Sequence, residues 1–190
     1  MPEILEDACA KLSGALRVLL AQLKLELNHL KMRIDEADAV IKKTAGENEA
    51  CRRLVAIPGI GPVTATAIIA AIGNGAAFRK GRDFSAWLGV VPGEHTTGGK
   101  QNLLGISKRG NSYLRKLFVQ GARAVLQQSA KQSSGLSAWL AQLTSRTHRN
   151  VAAVALANKL ARMAWAVLAK NEPYRPPMLA GTATAGLVCR

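Results

Sequence analysis

Arg52-Arg53-Leu54-Val55-Ala56-Ile57-Pro58-Gly59-Ile60-Gly61-Pro62-Val63-Thr64-Ala65 is the stretch on which the fold turns. Pro58 and Pro62 fix φ, while Gly59 and Gly61 permit positive φ or close approach, so Ile57 to Pro62 is a turn. Beyond it, the spacing predicts a short helix over Thr64 to Ile72, closed by Gly73. Before it, Leu5 to Ala45 contains no proline and only Gly14, with Leu, Lys, Glu and Ala dominant, which is strong helix material. Apolar residues there fall at Leu5, Leu12, Leu16, Leu19, Leu23, Leu27, Leu30, Ile34, Ala37 and Ile41. The steps of three and four, with consecutive fours from Leu19 to Leu27, read as a heptad pattern with a stutter. Such a stripe buries one face and leaves Lys24, Lys31, Arg33, Asp35 and Glu36 to solvent. A helix reaching roughly 60 Å at 1.5 Å per residue outruns a compact neighbour, which favours a coiled coil over packing on its own domain.

Further helices are predicted from about Asp83 to Leu88, from Ser112 through Leu126, around Trp139, Leu140 and Leu143, and from Asn150 to Leu168. Gly89 to Gly105, with Pro92, Gly93, Gly98 and Gly99, reads as an irregular glycine-rich basic loop. Gln127 to Gly135 reads as a polar linker, and the residues after Pro173 as a flexible tail. The fold class is therefore mainly α. Residues 1–50 form a coiled-coil helix, 51–172 a compact helical domain, and 173–190 the tail.

The chain has 190 residues, 48 % of them hydrophobic, which supplies a core and excludes a disordered class. Lys and Arg number 26 against 12 Asp and Glu, a formal charge of +14. That excess attracts a polyanion through long-range steering and counterion release. A membrane surface fits less well, because acids and bases interleave along the first helix. Asn158, Lys159 and Arg162 interrupt the most apolar helix, so no membrane span is predicted, and Glu3, Glu6 and Asp7 are the wrong charge for a signal peptide. Cys9, Cys51 and Cys189 lie far apart without metal or disulfide spacing. The chain reads as cytosolic, and as nucleoid-associated when bound to DNA.

Glycines at Gly59 and Gly61 strip the first turn of side chains, so backbone N–H groups at the start of the Thr64 helix can approach a phosphate. The turn resembles the hairpin of a helix-hairpin-helix module; the alternative is a tight turn that only lets two helices cross closely. The second segment runs Thr96-Thr97-Gly98-Gly99-Lys100 to Gly105-Ile106-Ser107-Lys108-Arg109-Gly110-Asn111. Between Arg79 and Lys116 there are eight Lys and Arg against Asp83 and Glu94. Phosphoryl transfer to a hydroxyl needs such cations, because negative charge grows on the phosphorus oxygens. Gly98 and Gly99 free nearby N–H groups, and Lys100, Lys108, Arg109 and Arg115 are candidate phosphate contacts. Thr97, His95 and Lys100 are candidate supports for a hydroxyl nucleophile. Ser107 suits a helix cap or a phosphate clamp at least as well as attack, and Asn111 or Ser112 could cap the same helix. A basic loop that grips backbone and does no chemistry remains the alternative for the whole segment. Neither His29 nor His148 has partners suggesting metal, and no acidic cluster suited to two Mg²⁺ ions occurs between Gly46 and Arg149. Trp139 and Trp165 are expected to be buried.

The order Arg52 to Pro62, then Phe84-Ser85-Ala86-Trp87-Leu88-Gly89-Val90-Val91-Pro92, then Thr97-Gly98-Gly99-Lys100, then Leu104 to Asn111, resembles a bacterial insertion-sequence transposase family. That family joins an N-terminal resolvase-like domain bearing four acidic metal ligands to a C-terminal domain bearing a serine nucleophile. The likeness spans about Leu5 to Tyr174 and falls on the C-terminal half. It implies DNA as partner, homo-oligomers assembled through the N-terminal helix, and a noncoding guide RNA encoded by the element. It also implies that Mg²⁺ belongs to the acidic domain of the complete transposase, with no cofactor held by this chain. The family's motif places a serine where this chain has Thr96, which makes Thr96 the candidate nucleophile. Because the chain starts at the coiled coil, the resemblance further implies a truncated remnant or fragment, inactive without the acidic domain.

Overall fold

The computed structural model describes residues 13–95, 102–128 and 135–176. It divides into two compact units between Lys43 and Thr44. Helix α1 spans Gly14–Glu47; the predicted start at Leu5 lies outside the described residues, and the end falls two residues beyond the predicted Ala45. In the first unit its leucine stripe is open: Leu16, Leu19, Leu23, Leu27, Leu30 and Ile34 are all exposed. At the far end Ala45 is buried in the second unit's core. Gly46 does not end the helix; Asn48 does. Its backbone is extended and its side chain accepts the Cys51 N–H at 3.1 Å, so it caps a new helix, α2 (Glu49–Val55).

The second unit continues with α3 (Pro62–Ile72), α4 (Gly81–Trp87), β1 (Pro92–Glu94), β2 (Leu103–Ile106), α5 (Ser112–Gln128), α6 (Gly135–Thr144) and α7 (Arg149–Ala169). Its centre is α7. Leu156 and Leu160 are fully buried, and Ala152, Ala153, Ala157, Ala161 and Ala164 let neighbouring backbones approach closely. Against this helix pack α2, α4, α5 and α6. By length and composition α7 could cross a membrane, yet half of that apolar window is buried inside the unit, as a core helix requires. Its start is fixed by His148, whose Nδ1 accepts the Asn150 N–H at 3.2 Å. Phe84 joins α4 to α5 through an edge contact with Phe118, ring centres 6.0 Å apart, and packs on Phe78 and Trp87. Cys51 lies within this core, where burial pushes its thiol pKa up.

The seven helices account for most of the described residues, so the chain is mainly α as expected. One expectation changes. Part of the segment read as an irregular loop is an antiparallel hairpin, pairing Pro92 with Ile106 and Glu94 with Leu103 across a register irregularity. A further bond from the His95 N–H to the Asn102 carbonyl, 2.9 Å, extends the pairing. Strands of three and four residues that contain Pro92, Gly93 and Gly105 show too little alternation to register as strands. Trp165 is only partly buried, with its indole N–H held by the Gly75 carbonyl at 3.2 Å, and Trp139 is likewise half-buried.

Candidate nucleic-acid interface

Two places where backbone meets backbone organise the interface, and both are mounted on α5. At the first, the turn Ile57 to Gly61 presses on the middle of the helix. Gly59 has φ +84°, and a Cβ there would sit 2.8 Å from both the Gly121 carbonyl oxygen and Val125 Cγ2. A Cβ on Gly121 would in turn overlap the Gly59 carbonyl. Gly59 is therefore committed to packing: it lets a turn and a helix touch through their main chains.

Gly61 is different. It is exposed, has φ −92° and ψ 177°, and nothing lies within 4 Å of a Cβ placed on it. It caps α3 with its carbonyl, which accepts the Ala65 N–H at 2.9 Å, and Pro62 follows at the first helical position. The first N–H groups of a helix have no intrahelical acceptor, and Pro62 has none, so those of Val63 and Thr64 are the donors at this end. Thr64 itself is only 7 % exposed, which leaves its backbone rather than its hydroxyl as the group to offer a ligand. Beside the turn lies a hollow of about 510 Å³ lined by Val55, Pro58, Gly61, Ala124 and Gln128 among others.

At the second place, residues 87–91 and 107–111 interlock. The Ser107 N–H donates to the Val91 carbonyl at 2.9 Å, and the Lys108 N–H to the Gly89 carbonyl at 3.1 Å. Gly89 (φ +72°) and Gly110 (φ +89°) face the Arg109 and Trp87 main chains so closely that a methyl on either would overlap a carbonyl oxygen. Arg115 ties the two segments from α5: its Nη1 donates to the Leu88 carbonyl at 2.9 Å and reaches the Arg109 carbonyl at 3.4 Å. Expected as a phosphate contact, Arg115 thus has part of its guanidinium engaged internally. The cap question resolves as well. Asn111 accepts the Leu114 N–H on its side chain at 3.0 Å and the Arg115 N–H on its carbonyl at 3.1 Å, so Asn111 caps α5 and Ser107 does not.

What projects from this frame is positive. Lys108 holds φ +56°, a left-handed backbone that costs a non-glycine residue about 1 kcal/mol. The Lys108 and Arg109 side chains are exposed, and so is Lys116. His95 is exposed where the hairpin leaves the described residues. Thr96, Thr97, Gly98, Gly99 and Lys100 lie outside the described residues. Among the described residues, no group of three or more His, Cys, Asp or Glu gathers as a metal site.

Between the hairpin and the first half of α7 runs an apolar groove of about 540 Å³, lined by Val90, Pro92, Leu104, Ile106, Val151 and Val154 among others. Asn158 anchors its floor by donating to the Val90 carbonyl at 3.3 Å.

Residues 51–137 match a family model described as Transposase IS116/IS110/IS902 family. The chain is 46 % identical over 167 residues to a probable family 20 transposase of Pseudomonas aeruginosa, covering 88 % of this chain and 49 % of that protein. It is 40 % identical over 175 residues to the transposase for insertion sequence element IS1111A of Coxiella burnetii, covering 92 % and 48 % respectively. Against the transposase for insertion sequence element IS1328 of Yersinia enterocolitica the identity is 44 % over 156 residues, covering 82 % and 47 %. The chain spans about half the length of these curated relatives.

Proposed function

The chain belongs to the IS116/IS110/IS902 transposase family, as its C-terminal transposase domain, and we propose that it binds DNA phosphates and positions a hydroxyl for strand transfer during transposition of an insertion sequence. The observation that carries this reading is the interlock of residues 87–91 with 107–111. It fixes the exposed cations Lys108 and Arg109 against the base of a hairpin whose first strand leads directly, in sequence, into His95 and Thr96. A phosphate held by such cations would meet the charge that grows on its oxygens in the transition state. The threonine hydroxyl of Thr96 would then attack phosphorus, forming a protein–DNA ester while a sugar oxygen departs with a proton. Thr97, His95 and Lys100 would support that step, and Gly98 and Gly99 would offer backbone N–H groups.

Gly61 and the start of α3 provide a second grip on the backbone, in the manner of a helix-hairpin-helix, and it reads no base identity. Mg²⁺ is assigned to the acidic domain of a complete transposase, and an element-encoded guide RNA to the same assembly. The exposed leucine stripe of α1 is the surface through which protomers would associate as a coiled coil.

The test is to mix the purified chain with duplex carrying element ends and an acidic domain supplied in trans, and to look for a covalent protein–DNA species on denaturing gels. Thr96→Ser should raise the yield and Thr96→Ala abolish it. A threonine carries an extra methyl, and a misplacement of about 1 Å can cost on the order of 100-fold in rate. Absence of the species from both the native chain and Thr96→Ser would overturn the chemistry. It would favour the second reading, a binding and oligomerisation module, which the internal engagement of Arg115 also accommodates.

A further inference from the structure

A further concentration of positive charge in the second unit lies beside α7. A cleft of about 660 Å³ opens where the start of α4 meets the second half of α7. Its walls carry Lys80, Arg82, Lys159, Arg162, Lys170 and Arg175, and none of its lining residues is a carboxylate. Its floor is Gly81, Met163, Trp165 and Ala166. Gly81 is what lets the helices close there: a Cβ on it would sit 3.2 Å from the Arg162 carbonyl and from the Trp165 ring.

All of these cations except Lys159 are exposed, and among the described residues none of the six forms an ion pair. Lys159 lies over the Trp139 ring, 4.8 Å from its centre, which holds its ammonium without neutralising it. Two acids lie close in sequence: Asp83 accepts the Lys80 backbone N–H at 3.1 Å, and Glu172 lines an adjoining hollow with Lys170 and Arg175 without forming an ion pair with either. Six like charges around one hollow repel one another, and a polyanion relieves that repulsion while releasing its own counterions. The hairpin groove takes the Asn150 to Asn158 part of α7, and the cleft takes the part from Lys159 to the end of the helix.

We propose that this cleft is a phosphodiester-backbone binding site, separate from the hairpin and the turn at Gly59, which grips DNA or structured RNA through Lys80, Arg82, Lys159, Arg162, Lys170 and Arg175. It has no hydroxyl nucleophile among its lining residues, so its role is to hold. The inference does not depend on the strand-transfer chemistry, and loss of covalent product with intact binding would leave it standing.

The experiment measures fluorescence anisotropy of the full chain with a labelled duplex DNA and, in a parallel arm, a hairpin RNA of similar length, across a salt series. The triple variant Arg82→Ala, Arg162→Ala, Lys170→Ala should bind at least tenfold more weakly in one or both arms. The slope of log affinity against log salt should fall by about 2 to 3, close to one for each phosphate contact removed. A control of equal charge, Lys24→Ala, Lys31→Ala, Arg33→Ala on α1, should lose less than half as much on the logarithmic scale. Which nucleic acid the cleft takes is read from the arm that responds. In the unsubstituted chain, bound nucleic acid should also protect Lys80 and Lys170 from acetylation more than Lys24 and Lys31. Equal losses in the two triple variants, or no selective protection of Lys80 and Lys170, would overturn the proposal.

Discussion

Gly59 and Gly61 differ by two positions and look equivalent in the sequence, yet they should respond oppositely to the same substitution. Gly59→Ala places a methyl on a backbone at φ +84°, which costs about 1–2 kcal/mol in the left-handed region. That methyl would sit 2.8 Å from the Gly121 carbonyl oxygen and from Val125 Cγ2. Carbon contacts normally settle near 3.5–4.0 Å, so the turn and α5 must separate by several tenths of an ångström. Overpacking of that kind adds about 1–3 kcal/mol. Set against these is the lower entropy of an unfolded chain with alanine, about 0.4–1 kcal/mol in favour of the variant. The net expectation is a loss of about 1–4.5 kcal/mol, which lowers the melting temperature by about 3–20 °C for a unit of this size. At Gly61, with an ordinary backbone and empty space around the Cβ position, Gly61→Ala should stay within about 1 kcal/mol of the unsubstituted chain. Urea titrations followed by far-ultraviolet circular dichroism measure both. A Gly59→Ala variant within about 0.5 kcal/mol of the parent, or a Gly61→Ala variant as unstable as Gly59→Ala, would refute the division of labour. Because Gly61→Ala stays folded, it is also the cleaner probe of phosphate approach. Its DNA affinity should drop while its stability does not.

Two other perturbations follow from the same frame. Arg115→Gln removes a charged donor from the Leu88 carbonyl, a bond of a kind worth about 1.5–3 kcal/mol, and should speed hydrogen exchange at the Ser107 and Lys108 amides. Unchanged exchange there would return Arg115 to a purely ligand-facing role. Replacing Leu23 and Leu27 by Ser should turn an oligomer into a monomer by light scattering without shifting the unfolding of the second unit, since both side chains are exposed on α1. An oligomer that survives the change would move the association surface elsewhere.

The helices were legible because each carries a local signal: Gly73 ends α3 with φ +56°, and apolar spacing at Leu114, Leu117 and Phe118 marks the buried side of α5. What escaped the sequence depends on partners distant along the chain. The hairpin forms because Pro92 finds Ile106 and His95 finds Asn102, pairings with no local period. Likewise Arg115 reads as one more cation until its guanidinium meets a carbonyl 27 residues away. The cleft is assembled from Lys80 and Arg82 at the start of α4 and from Arg162 on α7 and Lys170 at its end, each ordinary in its own stretch of sequence. His148 escaped too, since a histidine that accepts an N–H at a helix start leaves no spacing signature.

The geometry of α5 links the two glycine segments that composition presents as separate. Arg115 braces the cationic loop at one end, and Gly121 receives the turn at Gly59 six residues later, about 9 Å along the helix axis. Both contacts are main chain to main chain, or guanidinium to main chain, so neither can stretch without breaking hydrogen bonds or opening a backbone overlap. A displacement of α5 that loosened one would therefore be felt at the other, whereas independent phosphate-binding loops would respond separately. Substitutions at Gly59 and Arg115 should then be non-additive in stability, despite lying on opposite ends of the contact, because each relaxes the helix that the other constrains. Additivity within about 0.5 kcal/mol in a double-mutant cycle would show instead that α5 merely passes between two self-sufficient sites.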